Sequence, residues 1–195
     1  SCETDFVSKN ADFVAFAQSI ADAAVANNVK SAEELSEVVI NGAKVADMIN
    51  DKLAAIGEKI GIAKFERIEA PYVASYIHGA FRMGVLVGMN KEAAEAGKDV
   101  AMQIAAMNPV AVDKDGVDAT TVEREIEVGK DQARQEGKPE EMLEKIALGK
   151  LNKFYKENTL LSQQFVKDSS QTIAQYLNSV SKGMTIAAFK RISIG

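Results

Sequence analysis

Few residues in this chain have the means to do chemistry. There is one cysteine and one histidine, so a nucleophile–base pair would have to be Cys2 with His78. Carboxylates occur in pairs at Glu33-Glu34 and Glu140-Glu141. Both pairs open helical patterns, where the helix dipole favours negative charge and water solvates it. There is no phosphate-binding glycine loop, no HExxH, no GxSxG elbow and no cysteine pair. These residues point to a protein that is not an enzyme and that uses no cofactor and no metal. What remains is Thr4-Asp5-Phe6-Val7, an aromatic beside a carboxylate in a short segment ahead of the first helical pattern. Either Phe6 folds inward, the common fate of phenylalanine, or it forms the tip of a partner-binding loop. His78, between Ile77 and Gly79, divides the same way between a structural and a functional role.

The elements that must position these residues follow from periodicity and caps. Asn10 caps a helix whose Phe13, Phe16, Ala17, Ile20 and Ala24 share one face, and Asn27-Asn28 ends it. Ser31 with Glu34 opens a short helix. Val45, Met48, Ile49, Leu53 and Ile56 line another from about residue 43, broken at Gly57, and a strand is expected over 60–69. Two strands, 72–77 and 83–88, flank the connection His78-Gly79-Ala80-Phe81-Arg82 as a hairpin. Asn90 is expected to cap the helix that runs to Met107. Two thin apolar seams follow, Val122, Ile126, Gly129 and Ala133, then Leu143, Ile146, Lys150 and Phe154. Gly137-Lys138-Pro139 between them marks a tight turn between two helices. Seams this narrow suit an antiparallel coiled-coil arm.

The chain also echoes itself. Ile62-Ala63-Lys64-Phe65-Glu66-Arg67-Ile68 returns 124 residues later as Ile186-Ala187-Ala188-Phe189-Lys190-Arg191-Ile192, and Ile49, Leu53 and Ile56 return as Ile173, Leu177 and Val180. A weaker echo relates Ser19–Asn28 to Asp99–Asn108 at an offset of 80. The offsets differ by 44 residues, which implies an insertion in the second copy. The expected fold is α+β: two pseudo-repeated α/β half-domains with small antiparallel sheets, spanning about 1–70 and 71–195. The second half carries an inserted antiparallel helical hairpin at about 117–158. Phe65 and Phe189 hold equivalent places and are expected in the core.

Bulk properties bound the class. The 195 residues are 47% hydrophobic and 26% charged, with a net charge of −5. Such a balance disfavours non-specific nucleic-acid binding, which needs clustered Lys and Arg. No apolar run approaches the ~20 residues of a membrane span. A lone Cys2 fits a reducing compartment, and a cytoplasmic location is expected.

Four ordered segments resemble one family. Cys2-Glu3-Thr4-Asp5-Phe6-Val7 is similar to the N-C-x-T-D-F-V signature of elongation factor Ts. Ser75-Tyr76-Ile77-His78-Gly79-Ala80-Phe81-Arg82-Met83-Gly84-Val85-Leu86-Val87 resembles that family's second signature. Gly137-Lys138-Pro139 matches the turn of its helical hairpin, and Leu161-Ser162-Gln163-Gln164-Phe165-Val166 its return segment. Ala80-Phe81 stands where the family commonly has Gly-Gly, and Gln164 where it usually has Pro. The resemblance implies a core without the family's small N-terminal helical module. It implies a guanine-nucleotide exchange factor whose partner is the GTPase elongation factor Tu, with a homodimer or a 2:2 complex among the assemblies. It also implies that the Asp-Phe tip enters between helices of the partner's G domain and disturbs the Mg²⁺ and phosphate side of its nucleotide site. Thr4, Asp5, Phe6, Val7, His78 and Gly79 are the partner-binding residues it indicates. The competing expectation is a non-catalytic coiled-coil adaptor in which Asp5-Phe6 is incidental.

Overall fold

The computed structural model describes residues 1–194. It is α+β, with eight α-helices and small antiparallel sheets among the described residues. The chain divides into two compact units. One comprises Ser1–Ile68, Ile77–Gly84 and the segment from Ile192; the other comprises Glu69–Tyr76 and Val85–Arg191.

In the first unit, Thr4 caps a four-residue helix α1 (Asp5–Ser8) and Asn10 caps α2 (Ala11–Ala26). The Asn10 carboxamide oxygen accepts from the amides of Asp12 and Phe13 at 2.9 and 3.1 Å. These amides are otherwise unpaired in a first turn. Ser31 caps α3 (Ala32–Glu37) by accepting from the Glu34 amide. Val39–Ile40 (β1) and Ala43–Lys44 (β2) form a small antiparallel hairpin. Its turn is Asn41-Gly42, both with positive φ (52° and 86°), the pairing that a two-residue hairpin favours. Helix α4 (Val45–Ile56) therefore starts two residues later than its apolar pattern suggests, and ends at Gly57 in the left-handed region, φ 80°. Ile20, Ala24, Val29, Leu35 and Val45 form the core, with Phe16, Ile49, Ile62 and Phe65 packed on it.

The strand expected over 60–69 is absent, and this stretch carries no regular secondary structure. Strand identity needs a neighbour to complete the ladder. Gly61 and Ser1 do exchange two backbone hydrogen bonds, at 2.7 and 3.2 Å. Phe65 is half-buried, and so is Phe189 in the second unit, so neither is the core residue that the echo indicates.

The strands β3 (Tyr72–His78), β4 (Met83–Met89) and β7 (Ile186–Ser193) make a three-stranded sheet in the order β3-β4-β7. Within the second unit, β4 buries Val85, Val87 and Met89, and α5 (Ala94–Met107) buries Val100, Ala101 and Ile104. Asn90 does not cap α5. Its carboxamide instead donates to the Gly183 carbonyl and accepts from the Thr185 amide at 2.8 and 2.9 Å, and Ala93 takes the cap position with no side-chain bond. Gly97 lets α5 approach closely: a Cβ there would lie 2.6 Å from the Ala74 Cβ and 3.1 Å from the Met89 sulfur. Gly97→Ala gains up to about 1 kcal/mol of helix propensity, but the overpacking costs roughly 1–3 kcal/mol. A lower melting temperature is expected by calorimetry; an unchanged or higher one would mean that helix and sheet yield freely.

Helices α6 (Ala119–Gln135) and α7 (Leu143–Asn158) pack against each other. A Cβ on Gly129 would sit 3.0 Å from the Ala147 Cα, so the two helices approach closely there, and the Lys150 ammonium donates to the Gln132 carboxamide oxygen at 3.0 Å. The α7 seam runs through Leu143, Ala147 and Leu151, whereas Ile146, Lys150 and Phe154 are only half-buried. Gly137 turns the chain at φ 74°. The chain returns through β5 (Gln164–Phe165), paired antiparallel with β6 (Asp168–Thr172). It then enters α8 (Ile173–Val180), opened by a full capping box between Thr172 and Gln175. Ile173 and Leu177 are fully buried. Asp99 is buried too, and satisfied by the Tyr176 hydroxyl at 2.6 Å and the Lys167 ammonium at 2.5 Å. Burial, then that bond, pushes the Tyr176 phenol well above its usual range.

Candidate partner-binding site

Every residue singled out around Asp5 and His78 belongs to the first unit. Helix α1 is too short to stand on propensity, and side chains hold it. The Glu58 carboxylate accepts from the Thr4 hydroxyl at 2.6 Å and from the amides of Thr4 and Glu3 at 3.0 and 3.2 Å. Glu3 returns the favour by accepting from the Lys59 amide at 3.1 Å. The Thr4 oxygen caps the helix by accepting from the Val7 amide. Val7 is buried, 6% exposed, and anchors the inner face.

Phe6 points the other way and is 83% exposed. Of the two sequence readings for this ring, the exposed tip is the one the structure contains. An almost fully solvated aromatic on a pinned turn contributes little to its own fold, and it has contact area to give to a partner. Asp5 beside it is not free. The Arg82 guanidinium donates to one Asp5 carboxylate oxygen through Nε at 2.9 Å and Nη2 at 2.6 Å. Both groups are about half exposed, so the pair adds at most about 1 kcal/mol to stability. Its effect is orientation, since it fixes the carboxylate next to the tip.

Arg82 comes from the β3–β4 connection. That turn closes with the Arg82 amide donating to the Gly79 carbonyl at 3.0 Å, and the Ile194 amide donates to the Arg82 carbonyl at 2.9 Å. The Ser8 hydroxyl donates to the Ala80 carbonyl at 3.1 Å and so ties α1 to the same turn. Gly79, Ala80 and Phe81 all have positive φ, 61°, 55° and 65°. Glycine adopts this region freely, but for Ala80 and Phe81 it costs roughly 1–2 kcal/mol per residue. His78 and Gly79 are exposed at the same turn, and Phe81 is 48% exposed. Thr4, Asp5, Val7, His78 and Gly79 therefore lie on two segments that the Arg82 and Ser8 bonds join. Sequence reasoning missed Arg82 and Phe81 as members of this site. A charge four residues beyond a hairpin His was the available signal for Arg82, but its partner lies 77 positions away in sequence.

Cys2 is not prepared as a nucleophile. Its thiol donates to the Thr4 carbonyl at 3.5 Å, and burial, the largest influence on it, pushes its pKa up. Among the described residues no cluster of three His, Cys, Asp or Glu side chains could hold a metal ion, and no helix is long and apolar enough to cross a membrane.

An exposed aromatic tip, a held carboxylate and a strained turn with a second exposed ring belong to the same compact unit. Comparison with known proteins gives the family. The family model described as Elongation factor TS matches residues 3–195. The chain is 53% identical to "Elongation factor Ts" of Cytophaga hutchinsonii over 199 residues, covering 100% of this chain and 72% of that protein. It is 46% identical to that of Christiangramia forsetii over 198 residues with the same coverage. It is 41% identical to that of Clostridium botulinum, covering 100% of this chain and 68% of that protein. The chain belongs to the elongation factor Ts family, the guanine-nucleotide exchange factors of elongation factor Tu, and is a translation elongation factor.

Proposed function

We propose that this chain performs exchange through the α1 tip, as a wedge and not as an enzyme. Phe6 enters between helices of the G domain of elongation factor Tu, and Asp5 follows it toward the Mg²⁺ and phosphate side of the nucleotide site. The observation that carries this reading is the contrast along four residues: Thr4 held by Glu58, Asp5 held by Arg82, Val7 buried, and Phe6 left 83% exposed. Thr4 and Val7 keep the tip in place, and His78 and Gly79 meet the partner beside it. The chain forms no covalent bond and needs no cofactor. It binds nucleotide-free partner more tightly than loaded partner, and by linkage factor and nucleotide weaken each other by the same ratio.

The two halves, 1–70 and 71–195, descend from one repeated α/β unit, and residues 117–158 are a coiled-coil insertion that holds a second part of the partner. The echoed Ile49/Ile173 pair and the tight Gly129–Ala147 approach support this. The factor works in the cytoplasm, without touching nucleic acid, as a homodimer or in a 2:2 complex, which light scattering of the mixture would read as mass. The reading as a coiled-coil adaptor keeps the helix pair as the working part and leaves the tip idle.

Reciprocity is the test of the mechanism. Titration of the chain against nucleotide-free and GDP-loaded elongation factor Tu should give two affinities, the nucleotide-free one tighter. The ratio should equal the factor by which the chain weakens GDP binding. Equal affinities for the two states would end the exchange reading and favour the adaptor.

A further inference from the structure

We infer that Phe81 is a second aromatic anchor for the same partner, displayed by a turn that is kept strained in order to display it. This rests on the proposed role of the α1 tip and extends it to Phe81, a residue that departs from the glycine common at its place in the second signature. Two observations carry it independently. Phe81 is 48% exposed although it is a large apolar side chain within the folded part of the unit. It also sits, with Ala80, in consecutive left-handed conformations at φ 65° and 55°, in a turn closed by the Arg82 amide on the Gly79 carbonyl. Such a turn favours Gly, Asn or Asp at its two centres, and a bulky side chain with positive φ is a true outlier. Strain of this kind persists where the surroundings impose it, and it clusters where function uses it.

The surroundings here are specific. The Ser8 hydroxyl holds the Ala80 carbonyl, and Arg82 holds Asp5, so both neighbours of Phe81 are bonded to the helix that carries Phe6. The turn that carries Phe81 is thereby tied to the α1 tip, and its ring extends the docking surface that Phe6 begins. The occupant is the partner that receives Phe6. The chemistry needed is an apolar recess on the G domain beside the one that takes the tip. Aromatic anchors, held rigid before binding, give large contact area at little entropic cost.

Three substitutions in the full chain separate ring from strain. Phe81→Ala removes the ring and keeps a Cβ in the left-handed region. Phe81→Gly removes both ring and strain. Ala80→Gly relieves strain in the same turn and keeps the ring. Each is assayed for the concentration that half-maximally accelerates GDP release from elongation factor Tu, and for melting temperature. Both Phe81 variants should need at least ~10-fold more protein, counted as folded molecules and assayed below the melting transition of each. Ala80→Gly should stay within about twofold in exchange. Unchanged exchange in the two Phe81 variants would overturn the inference, and so would an equal defect in Ala80→Gly, since turn geometry alone would then explain it. Phe6→Ala in the same assay keeps the two readings apart. A defect there with normal Phe81 variants removes only the second anchor, whereas normal exchange in all of them removes the wedge as well.

Discussion

Phe6→Ala is expected to leave the melting temperature within about 1 °C of the unsubstituted chain. It is also expected to slow factor-stimulated GDP release by about 30-fold, the equivalent of roughly 2 kcal/mol at a central aromatic anchor. The two halves of this expectation have one origin. A ring that is 83% exposed has little burial to lose, so truncation hardly touches stability. The same ring has nearly its whole surface left to bury against a partner. Asp5→Asn refines the test. It keeps the shape, removes the charge and weakens the bond to Arg82. A defect in Phe6→Ala with normal Asp5→Asn would assign the work to packing, and defects in both would add electrostatics. If Phe6→Ala melted early and its exchange loss matched the unfolded fraction, the tip would be a structural element and the wedge reading would fail.

The second large effect is on stability. Leu53 and Leu177 are matched by the internal echo, yet Leu177 is fully buried and Leu53 is 39% exposed. Leu177→Ala should cost roughly 2–5 kcal/mol, because α8 cannot close the cavity without shifting Ile173, also fully buried. At about 2–4 °C per kcal/mol for a chain of this size, the melting temperature should fall by roughly 4–20 °C. Leu53→Ala should cost under about 1.5 kcal/mol. Equal costs would mean that the repeat governs packing as well as sequence, against the burial observed.

These two cases show which parts of the molecule were legible. Local signals worked where a residue's partner lies within a few positions. Asn10, Ser31, Gly57 and Gly137 mark helix ends because caps and left-handed turns are satisfied by the adjacent backbone. The Thr172–Gln175 capping box was equally local, and its pattern was present unread. Signals failed where the partner is distant. Asn90 looks like a cap but spends its carboxamide on Gly183 and Thr185. Residues 60–69 look like a strand but lack the ladder that makes one. Phe65 repeats at Phe189, yet both are only half-buried, because burial depends on what packs above a residue and not on its own pattern. In the candidate site, Thr4-Asp5-Phe6-Val7, His78 and Gly79 were visible as a motif. Arg82 and Ser8, which join the two segments, were not, because their bonds span more than 70 positions.

The most direct measurement is release of labelled GDP from elongation factor Tu, with the chain present at a small fraction of the partner's concentration. An exchange factor that acts by differential binding is regenerated each time nucleotide rebinds. The expected result is a release rate that rises with the amount of chain and saturates, with many molecules of GDP released per molecule of chain. A release rate that stays at its spontaneous value while the chain demonstrably binds the partner would contradict the account.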